Sequence, residues 1–200
     1  MQKNTPKIPR PTPKEIDKWL KEWEKLKDYQ EQEGAVQLVF QTWPENKDIK
    51  HILAKVSILN DFYGLHIIDT YTVAKQVLER NIDNPLKKGD ENIVNEIAPI
   101  IMRNGRPRKM YSFASKYCSH HQPNHFPIYD YFVEKMLIHW RENSDFDKFH
   151  NFTNQSLKDY PKLKETIDKF IKHFKLEKYT YKEIDKYLWL SGKKYFPREY

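Results

Sequence analysis

Only 5 glycines occur among 200 residues. Apolar residues recur at intervals of three and four, and stretches alternating every second position are almost absent. A half-buried strand requires period-two alternation, whereas a helix facing a core requires the three-and-four repeat. The chain is therefore expected to fold as an all-α domain of about eight helices.

The helices are marked by their caps and stripes. Residues 1–11 are rich in Pro and Lys and read as an extended basic arm, leaving 12–200 as a single domain. Thr12, Pro13 and Glu15 form a capping-box signature, followed by Ile16, Trp19, Leu20, Trp23 and Leu26 on one face, with a stop expected at Gly34. After the apolar run AVQLVFQTW, a helix through Ile49, Ile52, Leu53, Val56 and Leu59 is expected to end near Gly64. Val73, Val77 and Leu78 mark the next one. NIDNPLKKGD reads as a turn, with Asp90 capping a helix over Ile93, Val94 and Ile97 that Pro99 kinks or splits. Val133, Met136, Leu137 and Trp140 mark another helix, and Leu163, Ile167, Phe170, Ile171 and Phe174 a longer one. Thr180 and Glu183 form a second capping box.

Charge and cysteine content narrow the function classes. The formal charge of +7 and a pI near 9.2 favour anionic partners, nucleic acid first among them. One cysteine, Cys118, precludes an intrachain disulfide framework. No apolar run reaches the roughly 18 residues of a membrane span, and the opening MQKNTPKIPRPTPKE lacks the apolar core of a signal peptide. A cytoplasmic protein without a membrane partner is expected. GxxxxGK[ST], GxGxxG and HExxH are absent, so no cofactor is expected.

The stretch 103–137 concentrates the chemistry. In RNGRPRKMYS, Asn104, Gly105 and Pro107 turn the chain while Arg103, Arg106, Arg108 and Lys109 gather positive charge. Such a basic hairpin presents cations and backbone N–H groups to phosphate without reading sequence. Ser112 is read as the cap of a short helix holding Phe113, Ala114, Lys116 and Tyr117. Pro123 and Pro127 then bracket a loop that delivers Asp130 to a helix start, where a carboxylate satisfies free amides. Taken singly, Lys116 and Asp130 have ordinary structural readings as a solvated charge and an N-cap.

The order helix, hairpin, lysine-bearing helix, proline-bounded loop and aspartate at a helix start resembles the helix–hairpin–helix DNA glycosylase superfamily, in particular a divergent 8-oxoguanine DNA glycosylase-like branch. SFASK and FPIYD carry the resemblance, clearest over 111–137. The resemblance implies a helix–hairpin–helix bundle, Lys116 as nucleophile, Asp130 as its assistant and double-stranded DNA with a damaged or modified base as partner. This hairpin reads NGRPRKMYSFAS where the family favours a glycine-rich apolar-Pro-Gly pattern, and the Lys-to-Asp spacing is shorter than in better-known members.

Cleaving an N-glycosidic bond builds positive charge on the deoxyribose, which a carboxylate stabilises. A neutral amine can then capture C1′ as a Schiff base. For Lys116 to attack, its amine must lose a proton, which Asp130 is placed to accept. The target base must leave the duplex and be received by aromatic or apolar walls. With 5 Trp, 13 Tyr and 11 Phe, the sequence does not single out those walls. Cys118, His120, His121 and His125 form a cluster readable as metal ligands or a thiol site, but without a second cysteine or a recognised histidine spacing. The alternative to an enzyme is a non-catalytic DNA-binding or protein-interaction module on the same scaffold.

Overall fold

The computed structural model describes residues 7–146 and 151–198. The protein is an all-α bundle with, among the described residues, ten α-helices and one two-stranded hairpin. Helices α1 (Pro13–Glu24), α2 (Lys27–Thr42), α3 (Ile49–Tyr63), α4 (Thr70–Glu79), α5 (Asp83–Lys88) and α6 (Asn92–Ile97) precede the hairpin of β1 (Pro99–Ile101) and β2 (Pro107–Lys109). Helices α7 (Tyr111–His121), α8 (Tyr131–Asn143), α9 (Tyr160–His173) and α10 (Tyr181–Tyr195) follow. Helix α10 packs on both α1 and α8, and α3 packs on α2, α4 and α7. A continuous apolar core runs from Ile16 through Val56, Val94 and Phe113 to Leu188.

The caps explain most boundaries. Thr12 accepts a hydrogen bond from the Glu15 N–H at 3.3 Å, but the Glu15 carboxylate turns away to Lys18 and the Trp19 indole, so only half of the expected box forms. The Thr180–Glu183 box is complete. Asp90 accepts from the Asn92 N–H at 3.0 Å, and Pro99 ends α6 rather than kinking it, because the chain there enters β1. Of the arm expected over 1–11, residues 1–6 lie outside the described residues. Residues 7–11 have no regular secondary structure, yet Ile8 and Pro11 are buried.

Three further expectations are corrected. The first helix does not stop at Gly34: the chain breaks at Lys25–Leu26, and α2 runs through Gly34 and the apolar run behind it. A glycine terminates a helix by adopting the left-handed conformation, as Gly64 does at φ +55, and Gly34 does not adopt it. NIDNPLKKGD is the helix α5, closed by Gly89 at φ +67. Ser112 caps nothing; it lies inside α7, which starts after Met110 without a side-chain cap.

Candidate functional site: a buried lysine at the floor of an aromatic cavity

The hairpin is antiparallel, with Ile100 opposite Arg108, and turns at Gly105 with φ +76. It feeds directly into α7, and one turn later Lys116 projects into the interior at 1 % exposure. A lysine this buried requires partners for its charge. Its Nζ donates to Ser112 Oγ at 2.7 Å, to the Tyr129 carbonyl at 3.0 Å and to Asp130 Oδ2 at 3.3 Å. The Tyr63 ring lies beneath it, 4.9 Å from Nζ to centroid. Three oxygens thus meet the three donors of an ammonium. The residue read as a cap, Ser112, is instead the nearest partner of the amine.

Asp130 is the N-cap of α8. Its Oδ1 accepts from the Phe132 N–H at 2.9 Å, leaving Oδ2 for Lys116. The carbonyl of Tyr129 is fixed from two sides. Ser115 Oγ accepts from the Tyr129 N–H at 3.1 Å, and the Tyr129 hydroxyl is held by Glu134 and Lys158. The loop between the two prolines therefore delivers the carboxylate and a carbonyl together.

Lys116 and Asp130 face a cavity of about 240 Å³ whose other walls include Trp23, Tyr29, Glu33, Asp185 and Trp189. That lies below the roughly 300–1,000 Å³ of pockets for drug-sized ligands and suits one flat ring system. Trp189 meets Trp23 and Tyr29 edge to face and Trp23 is tilted against Tyr29, with centroids 5.5–6.2 Å apart. Glu33, buried at the back, pairs with Lys182 and Lys186. Asp185 is half-buried by area, yet its Oδ1 is sealed from solvent and, among the described residues, has no hydrogen-bond partner. Burial pushes its carboxyl up to about 7, opposed by Lys182 and Lys116 and reinforced by Asp130 and Glu33. At neutral pH this group is poised to give or take a proton.

None of these walls was identified from sequence, because they come from segments more than 100 positions apart. One signal was available. Asp185, Trp189 and Lys193 recur at four-residue spacing, off the face that carries Ile184, Tyr187 and Leu188 into the core. A tryptophan on a helix's charged face marks either a partner or a cavity.

The hairpin cations are more committed than their exposure implies. Arg103 pairs with Asp69 at 2.7 Å, Arg108 donates to the His66 carbonyl at 3.4 Å, and Lys109 donates to the Lys158 carbonyl at 2.9 Å. Among the described residues, the side chain of Arg106 alone of the four has no hydrogen-bond or ion-pair partner. None of the four lines the cavity.

The Cys–His cluster is dispersed into the packing. Cys118 is fully buried, and burial drives its thiol far above the ordinary range. His120 bonds the Tyr63 hydroxyl at 2.9 Å, and His121 faces the Lys55 amine at 3.4 Å. Burial lowers both imidazoles to about 3, with nearby lysines adding to the effect. Among the described residues no three His, Cys, Asp or Glu side chains converge as metal ligands, and no helix is long and apolar enough to cross a membrane.

Comparison with known proteins places the chain. It is 39 % identical over 151 residues to an uncharacterized protein of Haemophilus influenzae, covering 75 % of this chain and 70 % of that one. No solved structure matches it. The N-terminal domain model of the HI_0787_N family matches residues 15–125, a span that includes Lys116 but ends before Asp130 and the α10 wall. The chain belongs to the HI_0787_N family.

Proposed function

We propose that the protein is a DNA glycosylase with abasic-site lyase activity, acting on a damaged or modified base in duplex DNA. One observation carries this reading: a buried primary amine, Lys116, lies 3.3 Å from the Asp130 carboxylate at the floor of a small cavity walled by aromatic rings. A lysine at 1 % exposure is costly to fold around, and a buried amine beside a carboxylate in a cleft is a candidate functional group.

In this mechanism the extruded base enters the cavity against the packed cluster of Trp23, Tyr29 and Trp189, which supplies an aromatic wall. Lys116 gives up a proton, to Asp130 or to the departing base, and its lone pair adds to C1′. The glycosidic bond breaks with its electron pair leaving on the base. Asp130 stabilises the cationic sugar in between. The C1′ adduct loses a second proton from nitrogen as the C1′–O4′ bond opens and O4′ takes up a proton, giving an iminium that acidifies the 2′ position; loss of a 2′ proton then expels the 3′ phosphate and nicks the strand. Attack requires the amine to exchange some of its three resting hydrogen bonds for the sugar, and Ser112 and the Tyr129 carbonyl set the position from which it does so.

The test is borohydride trapping on a duplex with a single abasic site, which exposes the sugar without requiring the right base to be known. A covalent adduct with wild type that vanishes in Lys116→Gln is the expected result. Wild type that binds this DNA and forms no adduct would reject the lysine mechanism and leave a water-dependent glycosylase or a binding module.

A further inference from the structure

Helix α10 carries its cations in two states. Lys182 and Lys186 are neutralised by Glu33 at the back of the cavity. Lys193 and Arg198 also line the cavity, both are exposed, and neither has a carboxylate partner among the described residues. They are seated on rings instead. Lys193 lies 4.9 Å from the Trp189 centroid and 5.6 Å from that of Tyr29; the Arg198 guanidinium lies 4.6 Å from Tyr131 and 5.4 Å from Phe132. A ring face holds a cation in place without cancelling its charge.

Lys193 falls in the last turn of α10, where a cation also complements the helix dipole. That explanation does not reach Arg198, which lies beyond the Phe196 C-cap and crosses to the first turn of α8. There the dipole is positive, so a guanidinium gains nothing from it. The N-cap acid of α8 does not compensate either: Asp130 has committed Oδ1 to the Phe132 N–H and Oδ2 to Lys116. Helix α10 packs closely on α8 here: a Cβ added at Gly192 would lie 2.7 Å from the Phe132 Cβ. Two exposed cations without a carboxylate partner among the described residues thus line the cavity, and a guanidinium beside an ammonium suits a phosphodiester.

We infer that Lys193 and Arg198 grip the phosphates flanking the extruded nucleotide, so that the 193–198 segment, and not the hairpin alone, holds the substrate strand. The inference rests on the glycosylase reading above. A sugar whose C1′ meets Lys116 carries a phosphodiester on either side, and those phosphates must lie at the cavity mouth. The hairpin cations line no part of that mouth.

The test measures binding by fluorescence anisotropy to a duplex holding a tetrahydrofuran abasic analogue, which forms no imine and so separates binding from chemistry. The phosphates on either side of the analogue are replaced singly by uncharged methylphosphonates. Loss of one charge-assisted contact is expected to weaken binding about tenfold. Arg198→Gln should therefore bind the unmodified duplex about tenfold more weakly than wild type, and should lose nothing further at the methylphosphonate that replaces its own contact. Lys193→Gln should behave likewise at its own phosphate, and Arg198→Lys should recover most of the loss. Wild-type affinity in both Gln variants, or losses that add in full to those of every methylphosphonate, would overturn the inference. Wild type that does not bind the duplex at all would remove the glycosylase reading, and this inference with it.

Discussion

Gly192→Ala is expected to destabilise the protein although it improves helix propensity. In a helix interior, alanine is favoured over glycine by about 1 kcal/mol. At position 192, however, the new Cβ would lie 2.7 Å from the Phe132 Cβ, 3.0 Å from its carbonyl oxygen and 3.2 Å from its carbonyl carbon. Two of those atoms are backbone and cannot swing aside, so α10 must move off α8. Overpacking of this kind costs about 1–3 kcal/mol, and the upper end applies where backbone has to yield. The net loss is then about 2 kcal/mol. At about 2–4 °C per kcal/mol for a chain of this size, the midpoint of thermal unfolding should fall by about 4–8 °C. Gly34→Ala is the control, since a Cβ there meets nothing within 4 Å. It should raise the midpoint by about 2–4 °C. The two variants make the same chemical change in two helices and should move in opposite directions. A Gly192→Ala protein melting at or above wild type would refute the close-contact argument.

Two further outcomes follow from the site. Asp185 titrates near 7 in the folded protein against an ordinary 3.8, so between those values the folded state holds a proton that the unfolded state has lost. Stability contributed there is present at low pH and lost as pH rises from about 4 to 7. Asp185→Asn should match wild type in urea unfolding near pH 4 and exceed it at pH 8 by about 2 kcal/mol, a figure reduced from the ~1.36 kcal/mol per pH unit of a fully enclosed group because Asp185 is only half-buried. A variant that is no more stable than wild type at pH 8 would count against the buried carboxyl. In the hairpin, Arg106→Gln should flatten the dependence of log affinity on log salt by about one unit. Arg103→Gln should flatten it by less, since Asp69 already neutralises Arg103 at 2.7 Å; equal effects would contradict that pairing.

The helical architecture was legible because it rests on local signals. The three-and-four stripes, the Thr180–Glu183 box and the role of Asp130 as an N-cap all lie within a few residues of one another. The meeting of Lys116 with Asp130 was expected from the resemblance carried by SFASK and FPIYD and not from local signals, which gave each residue an ordinary structural role. What failed was the reading of single residues out of context. Gly34 resembles a helix stop and Ser112 a helix cap, but each role depends on a backbone conformation that composition does not determine. Burial of charge was also illegible. Lys55 repeats every local feature of a solvated helix lysine, yet it is fully buried and donates to the carbonyls of Trp43 and Glu45 and to Asn46 Oδ1 at 2.7–3.1 Å. The cavity walls were invisible because Trp23 and Trp189 become neighbours only through tertiary packing.

The cavity also has an order of assembly. The amine and its carboxylate are both in place once residues 111–130 have folded against α3. The aromatic walls instead join residues 23–33 of α1 and α2 to residues 185–198, contacts of very long sequence separation that close late because their loop entropy is met before any packing is gained. During synthesis from the N-terminus, Lys116 therefore emerges before the 185–198 segment that walls the cavity around it. The last wall to emerge is also the one that carries Lys193 and Arg198, so the cavity and its exposed cations are completed together. The cavity that the proposed glycosylase reading requires is thus complete only when the whole bundle has closed.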